Sequence, residues 1–184
     1  MKRLAFLAAI LFLSLTTPAR AGLEEGVAAY KRGDYATAFR EFLPLAQAGD
    51  ASAQANLSSM YFYGRGVTQD YKEAVRWNRK AAEQGNAPAL YNLGNMYEYG
   101  QGVAQDYKEA VRWYRKAAEQ GFAAAKYNLG TIYERGKGVA QDYKEAVRWY
   151  RKAAEQGFAR AQYNLGVLYN NGRGVTRDLV QAHM

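Results

Sequence analysis

The 184-residue chain has no cysteine and one histidine, His183, the last residue but one. Without thiols there is no disulfide framework and no thiol nucleophile. The two residue types that transition-metal sites most often recruit are almost missing, so no metal site and no cofactor is expected. Serine is scarce as well: after residue 21 only Ser52, Ser58 and Ser59 remain, and none has a histidine to pair with for nucleophilic catalysis. The chain also lacks an apolar run long enough for a bilayer. Its longest, Leu4 to Leu15, is 12 residues, where a span needs roughly 20.

That run has a different use. Lys2 and Arg3 precede it, and Ala19-Arg20-Ala21 follows. Basic start, apolar stretch and small-residue exit are the order of a secretory signal peptide, with cleavage expected after Ala21. The mature protein is then periplasmic or secreted, with no stable insertion in the membrane. No cysteine follows the cleavage point to take a lipid. Residues 22–184 retain 22 basic against 17 acidic residues, too thin a charge for a nucleic-acid binder.

What is present is repetition. Asp-Tyr recurs at Asp34-Tyr35, Asp70-Tyr71, Asp106-Tyr107 and Asp142-Tyr143, a period of 36 residues. The units cover 34–69, 70–105, 106–141 and 142–177, with a capping helix expected over 22–33 and a truncated fifth unit over 178–184. Units two and three share 28 of 36 residues, and units three and four share 27. A fixed period of this length specifies a solenoid.

Each unit reads as two helices. Asp106 is an N-cap, with Glu109 placed to complete a capping box, and Tyr107 to Gln120 forms the first helix before Gly121. Ala110, Trp113, Tyr114, Ala117 and Ala118 share one face. The second helix runs from about Ala123 to Glu134, with Ala125, Leu129, Ile132 and Tyr133 as its stripe. It stops at the Gly136-x-Gly138 loop, whose counterparts lie at 64–66, 100–102 and 172–174. With no strand before it and no third glycine, this loop is a turn and not a phosphate cradle. Hairpins of this kind bury their apolar faces only by stacking, so the fold is an all-α superhelix.

The pattern Ala-x-x-Trp-Tyr-x-x-Ala-Ala-x-x-Gly, followed by Ala-x-Tyr-Asn-Leu-Gly-x-x-Tyr-x-x-Gly-x-Gly-Val, resembles the Sel-one-like repeat family, relatives of tetratricopeptide solenoids. The resemblance implies a right-handed α/α superhelix of helix-turn-helix repeats. Unit one departs from the pattern, with Glu41 for Trp, Ala55 for Tyr and Ser58 for Gly. Pro44, inside its first helix, is expected to kink or shift that helix. Some cysteine-rich members of the family are linked to β-lactam binding. This chain lacks those cysteines, and the resemblance does not carry that activity here.

Candidate functional residues repeat with the same period. Lys72, Arg76 and Arg79 recur as Lys108, Arg112 and Arg115 and again as Lys144, Arg148 and Arg151, opposite the packing stripe. In the resembled family first helices line the concave side. The resemblance thus implies three basic rungs along a groove, with Trp77, Trp113 and Trp149 contributing where their edges reach solvent. The alternative is a solvated face, its arginines paired with glutamates of adjacent units. Asn56, Asn92, Asn128 and Asn164 read as buried amides holding loop backbone. Positions that differ among near-identical units, such as Asn78 against Tyr114 and Tyr150, or Asn86 against Phe122 and Phe158, read as lying outside the core. The chain therefore reads as a non-catalytic envelope scaffold that binds a protein partner, with an acidic segment as the complementary ligand. A binder of anionic envelope polysaccharide is the alternative.

Overall fold

A computed structural model describes residues 18–180 and 182. Most of the expected signal segment, residues 1–17, lies outside the described residues, as does His183. Within them are nine helices and no strand: α1 (Pro18–Arg32), α2 (Tyr35–Gln47), α3 (Ala51–Tyr63), α4 (Tyr71–Glu83), α5 (Ala87–Tyr99), α6 (Tyr107–Glu119), α7 (Ala123–Arg135), α8 (Tyr143–Ala154) and α9 (Ala159–Asn171). Each helix packs chiefly on its sequence neighbours, which makes an α/α solenoid. Contact is more extensive across the Gly-x-Gly loops, as between α3 and α4, than between α2 and α3. Helix α1 starts four residues before Gly22, so the expected cleavage point falls in its first turn.

The first-helix caps form as the sequence predicts, but the reciprocal half of the capping box does not. The Asp106 carboxylate accepts from the backbone N–H groups of Lys108 and Glu109, at 2.8 and 3.1 Å. The Asp106 N–H, which Glu109 would have had to cap, donates instead to the Tyr97 carbonyl at 2.9 Å. Glu109 turns outward to Arg112. The same substitution of partners recurs at Asp70 and Asp142. It ties each even-numbered helix to the helix before it.

Pro44 does not break α2, which is continuous to Gln47. The proline sits in the final turn, where only the Arg40 carbonyl loses its intrahelical donor, and Arg40 is exposed to water. The Gly-x-Gly loops dock on the preceding even-numbered helix. Gly138 has φ +69°, and a Cβ there would lie 2.5 Å from Tyr107 Cβ, so only glycine lets the chains meet. The face expected from Ala110, Trp113, Tyr114, Ala117 and Ala118 is buried throughout.

Candidate functional site

The helices meet in three comparable seams. At the α5–α6–α7 seam the Tyr114 ring lies on Gly94, where a Cβ would be 2.5 Å from the ring. Tyr91 packs against Tyr114 and Phe122, with ring centroids 5.8 and 5.0 Å apart. The α7–α8–α9 seam repeats this with Gly130, Tyr127, Tyr150 and Phe158. At the α3–α4–α5 seam every equivalent position changes: Ala55, Asn78, Asn86 and Ser58. The expectation that such variable positions lie outside the core is therefore corrected. Asn78, Tyr114 and Tyr150 are all fully buried. They vary together with their neighbours because each seam must fill its own volume.

The chemistry changes with the packing. The Tyr114 hydroxyl lies 2.7 Å from a Glu98 carboxylate oxygen and 2.6 Å from the Asn95 side-chain oxygen. Tyr150 meets Glu134 at 2.6 Å and Thr131 at 3.1 Å. Burial first, then the Glu98 charge, push the Tyr114 phenol far above its usual range; burial and the bond to Glu134 move Tyr150 the same way. Asn78 has no hydroxyl to offer, and its amide nitrogen donates to the Ala89 carbonyl at 2.7 Å. Asn86 caps α5 through the Ala89 N–H at 3.0 Å, where Phe122 and Phe158 make no side-chain cap.

A recess of about 500 Å³ opens between α3 and α5 at this polar seam. Phe62, Tyr91 and Met96 give it apolar walls, and Ser58, Ser59, Asn92, Asn95 and Gln101 supply hydrogen-bonding groups. No charged residue lines it. Tyr63 and Tyr99, at equivalent positions of successive repeats, stand 59% and 63% exposed beside it. Asn92 is half-buried and makes no side-chain hydrogen bond to any described residue. This corrects the expected role of the recurring asparagines. Asn164 donates to the Tyr150 hydroxyl at 3.1 Å, Asn128 approaches Asn95, and Asn56 bonds within its own helix, so none holds loop backbone.

The predicted basic residues lie elsewhere. Lys72, Arg76 and Arg79 on α4, Lys108, Arg112 and Arg115 on α6, and Lys144, Arg148 and Arg151 on α8 are all exposed. They stand on the even-numbered helices, whereas the recess is built by α3 and α5. Arg76, Arg112 and Arg148 pair with Glu73, Glu109 and Glu145 of their own helix, at 2.7, 3.1 and 3.1 Å, and not with adjacent units. Arg79 and Arg151 donate to the Tyr97 and Tyr169 hydroxyls at 2.8 and 2.7 Å, and Arg115 to that of Tyr133. Trp77 and Trp113 belong to the core, at 4% and 5% exposure, and Trp149 is half-buried. Lys80, Lys116 and Lys152 lie over these indoles at 4.7–4.8 Å. The indole N–H groups of all three are buried without a protein partner, and of the three rings Trp149 alone keeps part of its surface exposed.

Among the described residues no cluster of His, Cys, Asp or Glu is arranged to hold a metal ion, and no helix is long and apolar enough to cross a membrane. The Sel1 repeat family model matches residues 51–86, 87–122, 123–158 and 159–184. The chain belongs to the Sel1 repeat family. The first three Sel1 matches each run from an odd-numbered helix through a Gly-x-Gly loop to the next even-numbered one, the pairing that packs most extensively, and the fourth begins with α9. Among curated proteins none matches.

Two solved Sel1-type structures are similar over most of the chain. One is c5321, a protective antigen present in uropathogenic Escherichia coli strains, at 39% identity and TM-score 0.86, over 89% of this chain and 36% of that one. The other is a Sel1 repeat protein from Oxalobacter formigenes, at 40% identity and TM-score 0.80, over 85% of this chain and 62% of that one. The chain thus spans less than two thirds of either neighbour. Helicobacter pylori cysteine rich protein B, at 22% identity and TM-score 0.52, shares the fold.

Proposed function

We propose that this Sel1 repeat protein is a non-catalytic scaffold of the bacterial envelope, exported through segment 1–21, that holds a protein partner on its solenoid surface. Sel1 solenoids serve as protein-interaction scaffolds, and solenoids present extended surfaces suited to that task. The observation that carries the reading is the neutral recess between α3 and α5, flanked by the exposed Tyr63 and Tyr99. Tyrosine is among the residues most enriched in protein interfaces. The basic rows on α4, α6 and α8 are a second contact surface, suited to an acidic segment of the same partner. Their arginines are already engaged within the chain, so Lys72, Lys108 and Lys144 carry that contact.

The test is capture from envelope extract with the full chain, expressed with its own N-terminal segment. The Tyr63→Ala/Tyr99→Ala and Lys72→Glu/Lys108→Glu/Lys144→Glu variants, checked for helicity, run beside it. One protein retained by the wild type and lost by the tyrosine variant supports the reading. Retention of glycans alone, released by moderate salt, overturns it in favour of polymer binding. An N-terminus other than Gly22 on the exported protein, read by mass spectrometry, overturns the assigned cleavage point.

A further inference from the structure

The recess at the α3–α4–α5 seam has a chemistry of its own. We infer that it binds an extended, uncharged peptide segment, seating one aliphatic or aromatic side chain between Phe62, Tyr91 and Met96 and pairing the peptide main chain with Asn92. This rests on the scaffold reading and specifies what the scaffold recognises. Three observations lead to it.

The first is charge. Nearly a quarter of the chain is Asp, Glu, Lys or Arg, at 23%, yet none of these lines the recess. A charged occupant would lose its hydration there with no counter-charge in return. A neutral one loses far less.

The second is the amide. Asn92 carries two donors and an acceptor, and none of them is engaged by a described residue. The nitrogen of Asn95 is in the same position, since only its oxygen takes part in the bonds to Tyr114 and Asn128. The two stand one helical turn apart on α5, at i and i+3, and so on one face. A primary amide matches the N–H and C=O of a peptide unit in both senses. An extended segment presents these groups at the spacing of one strand residue, with alternate side chains turned the same way.

The third is the state of the rings that wall the recess, which fits a peptide side chain better than a sugar. Stacking a sugar needs an open aromatic face. Phe62 is met edge-on by Tyr63 and Tyr71, at 4.9 and 5.0 Å between centroids. Tyr91 is met by Tyr114 and Phe122. The Arg65 guanidinium lies 4.9 Å above the Tyr63 ring. The rings of Phe62 and Tyr91 therefore form walls for an apolar side chain, while Tyr99, 63% exposed at the rim, keeps an uncovered ring that the saccharide arm of the test addresses.

The experiment uses the full chain and a set of acetylated, amidated octapeptides of Gly and Ser, with one central residue varied through Ala, Leu, Met, Phe, Glu and Lys. Binding is read by calorimetry at low and moderate salt. The Leu, Met and Phe peptides are expected to bind and the Ala, Glu and Lys peptides not, with no salt dependence. Asn92→Ala breaks no hydrogen bond to a described residue, so it is expected to leave the thermal midpoint nearly unchanged and to weaken binding about tenfold, the loss of roughly one hydrogen bond. No binding by any peptide at millimolar concentration, tightest binding of the Glu peptide, or equal affinity of wild type and Asn92→Ala each overturns the inference. So does a neutral hexasaccharide that binds in competition with the Phe peptide. The partner captured from envelope extract separates the two levels of failure. If Asn92→Ala still retains it while the lysine variant does not, the scaffold reading stands and the recess assignment falls.

Discussion

The α3–α4–α5 and α5–α6–α7 seams are drawn from the same repeat, yet they solve the same packing problem with different materials. The second fills its centre with Tyr91, Tyr114 and Phe122 and leaves Gly94 bare beneath a ring. The first uses Ala55, Asn78 and Asn86 and gains Ser58 where the glycine was. One seam is stiffened by interlocked rings. The other keeps the Phe62–Tyr71 contact but replaces the central rings with the amides Asn78 and Asn86, and an open recess lies beside it. A repeat protein in which every seam matched would have no place to be specific. Here the departure from the consensus coincides with the recess proposed to hold the partner.

The sharpest way to break the contrast is to empty the aromatic seam. Tyr114→Ala is expected to cost about 3–5 kcal/mol, the range for a large buried aromatic, read as the denaturant midpoint. Asn78→Ala should cost far less, mainly the one bond to Ala89. Next is the converse graft. Asn78→Tyr drives a ring into a site closed by Ser58 and should destabilise by about 1–3 kcal/mol, as overpacking does. Adding Ser58→Gly should recover part of that loss, and a double-mutant cycle with no coupling would show that the two positions do not share one volume. Gly94→Ala tests the same point from the other side, with about 1–3 kcal/mol expected.

Alkali should separate the seams as well. In the folded chain the Tyr114 and Tyr150 phenols sit above their ordinary value of 10.0. The native state keeps these protons after the unfolded chain has lost its own. Their contribution is therefore complete below about pH 10 and falls as the pH rises beyond it. Tyr114→Phe should make that alkaline decline shallower, and also lower neutral-pH stability by about 1–3 kcal/mol through the buried Glu98 it leaves without its phenol. The smallest effect belongs to the surface. Arg112→Gln breaks an exposed pair and should change stability by no more than about 0.5 kcal/mol.

The period, the helix pairs, their N-caps and the buried stripe were legible in the sequence because each is a local pattern repeated four times. The recess was not, because its lining comes from two repeats that only the fold brings together, and of the four changed positions Ser58 alone belongs to that lining. The signal was nonetheless visible. Ser58 and Asn78, like Gly94 and Tyr114 or Gly130 and Tyr150, lie 20 residues apart and change together. Taken singly, Asn78 reads as a position outside the core and Ser58 as one of several departures of unit one from the pattern. The ion pair of Glu109 and the partner-facing edge expected of Trp113 went astray for a different reason. A carboxylate at the third helical position satisfies a capping box and an i,i+3 ion pair equally well on paper. An amphipathic indole is assigned to core or surface only by the helix that covers it.

The pairing of each helix with its sequence neighbours also bears on how the molecule responds to load. Seams that touch only the next in line act as springs in series, so the whole array stretches or bends by the sum of its parts. A ligand wedged between α3 and α5 would therefore alter the pitch of the array, and a tension applied at its ends would be felt in the width of that cleft.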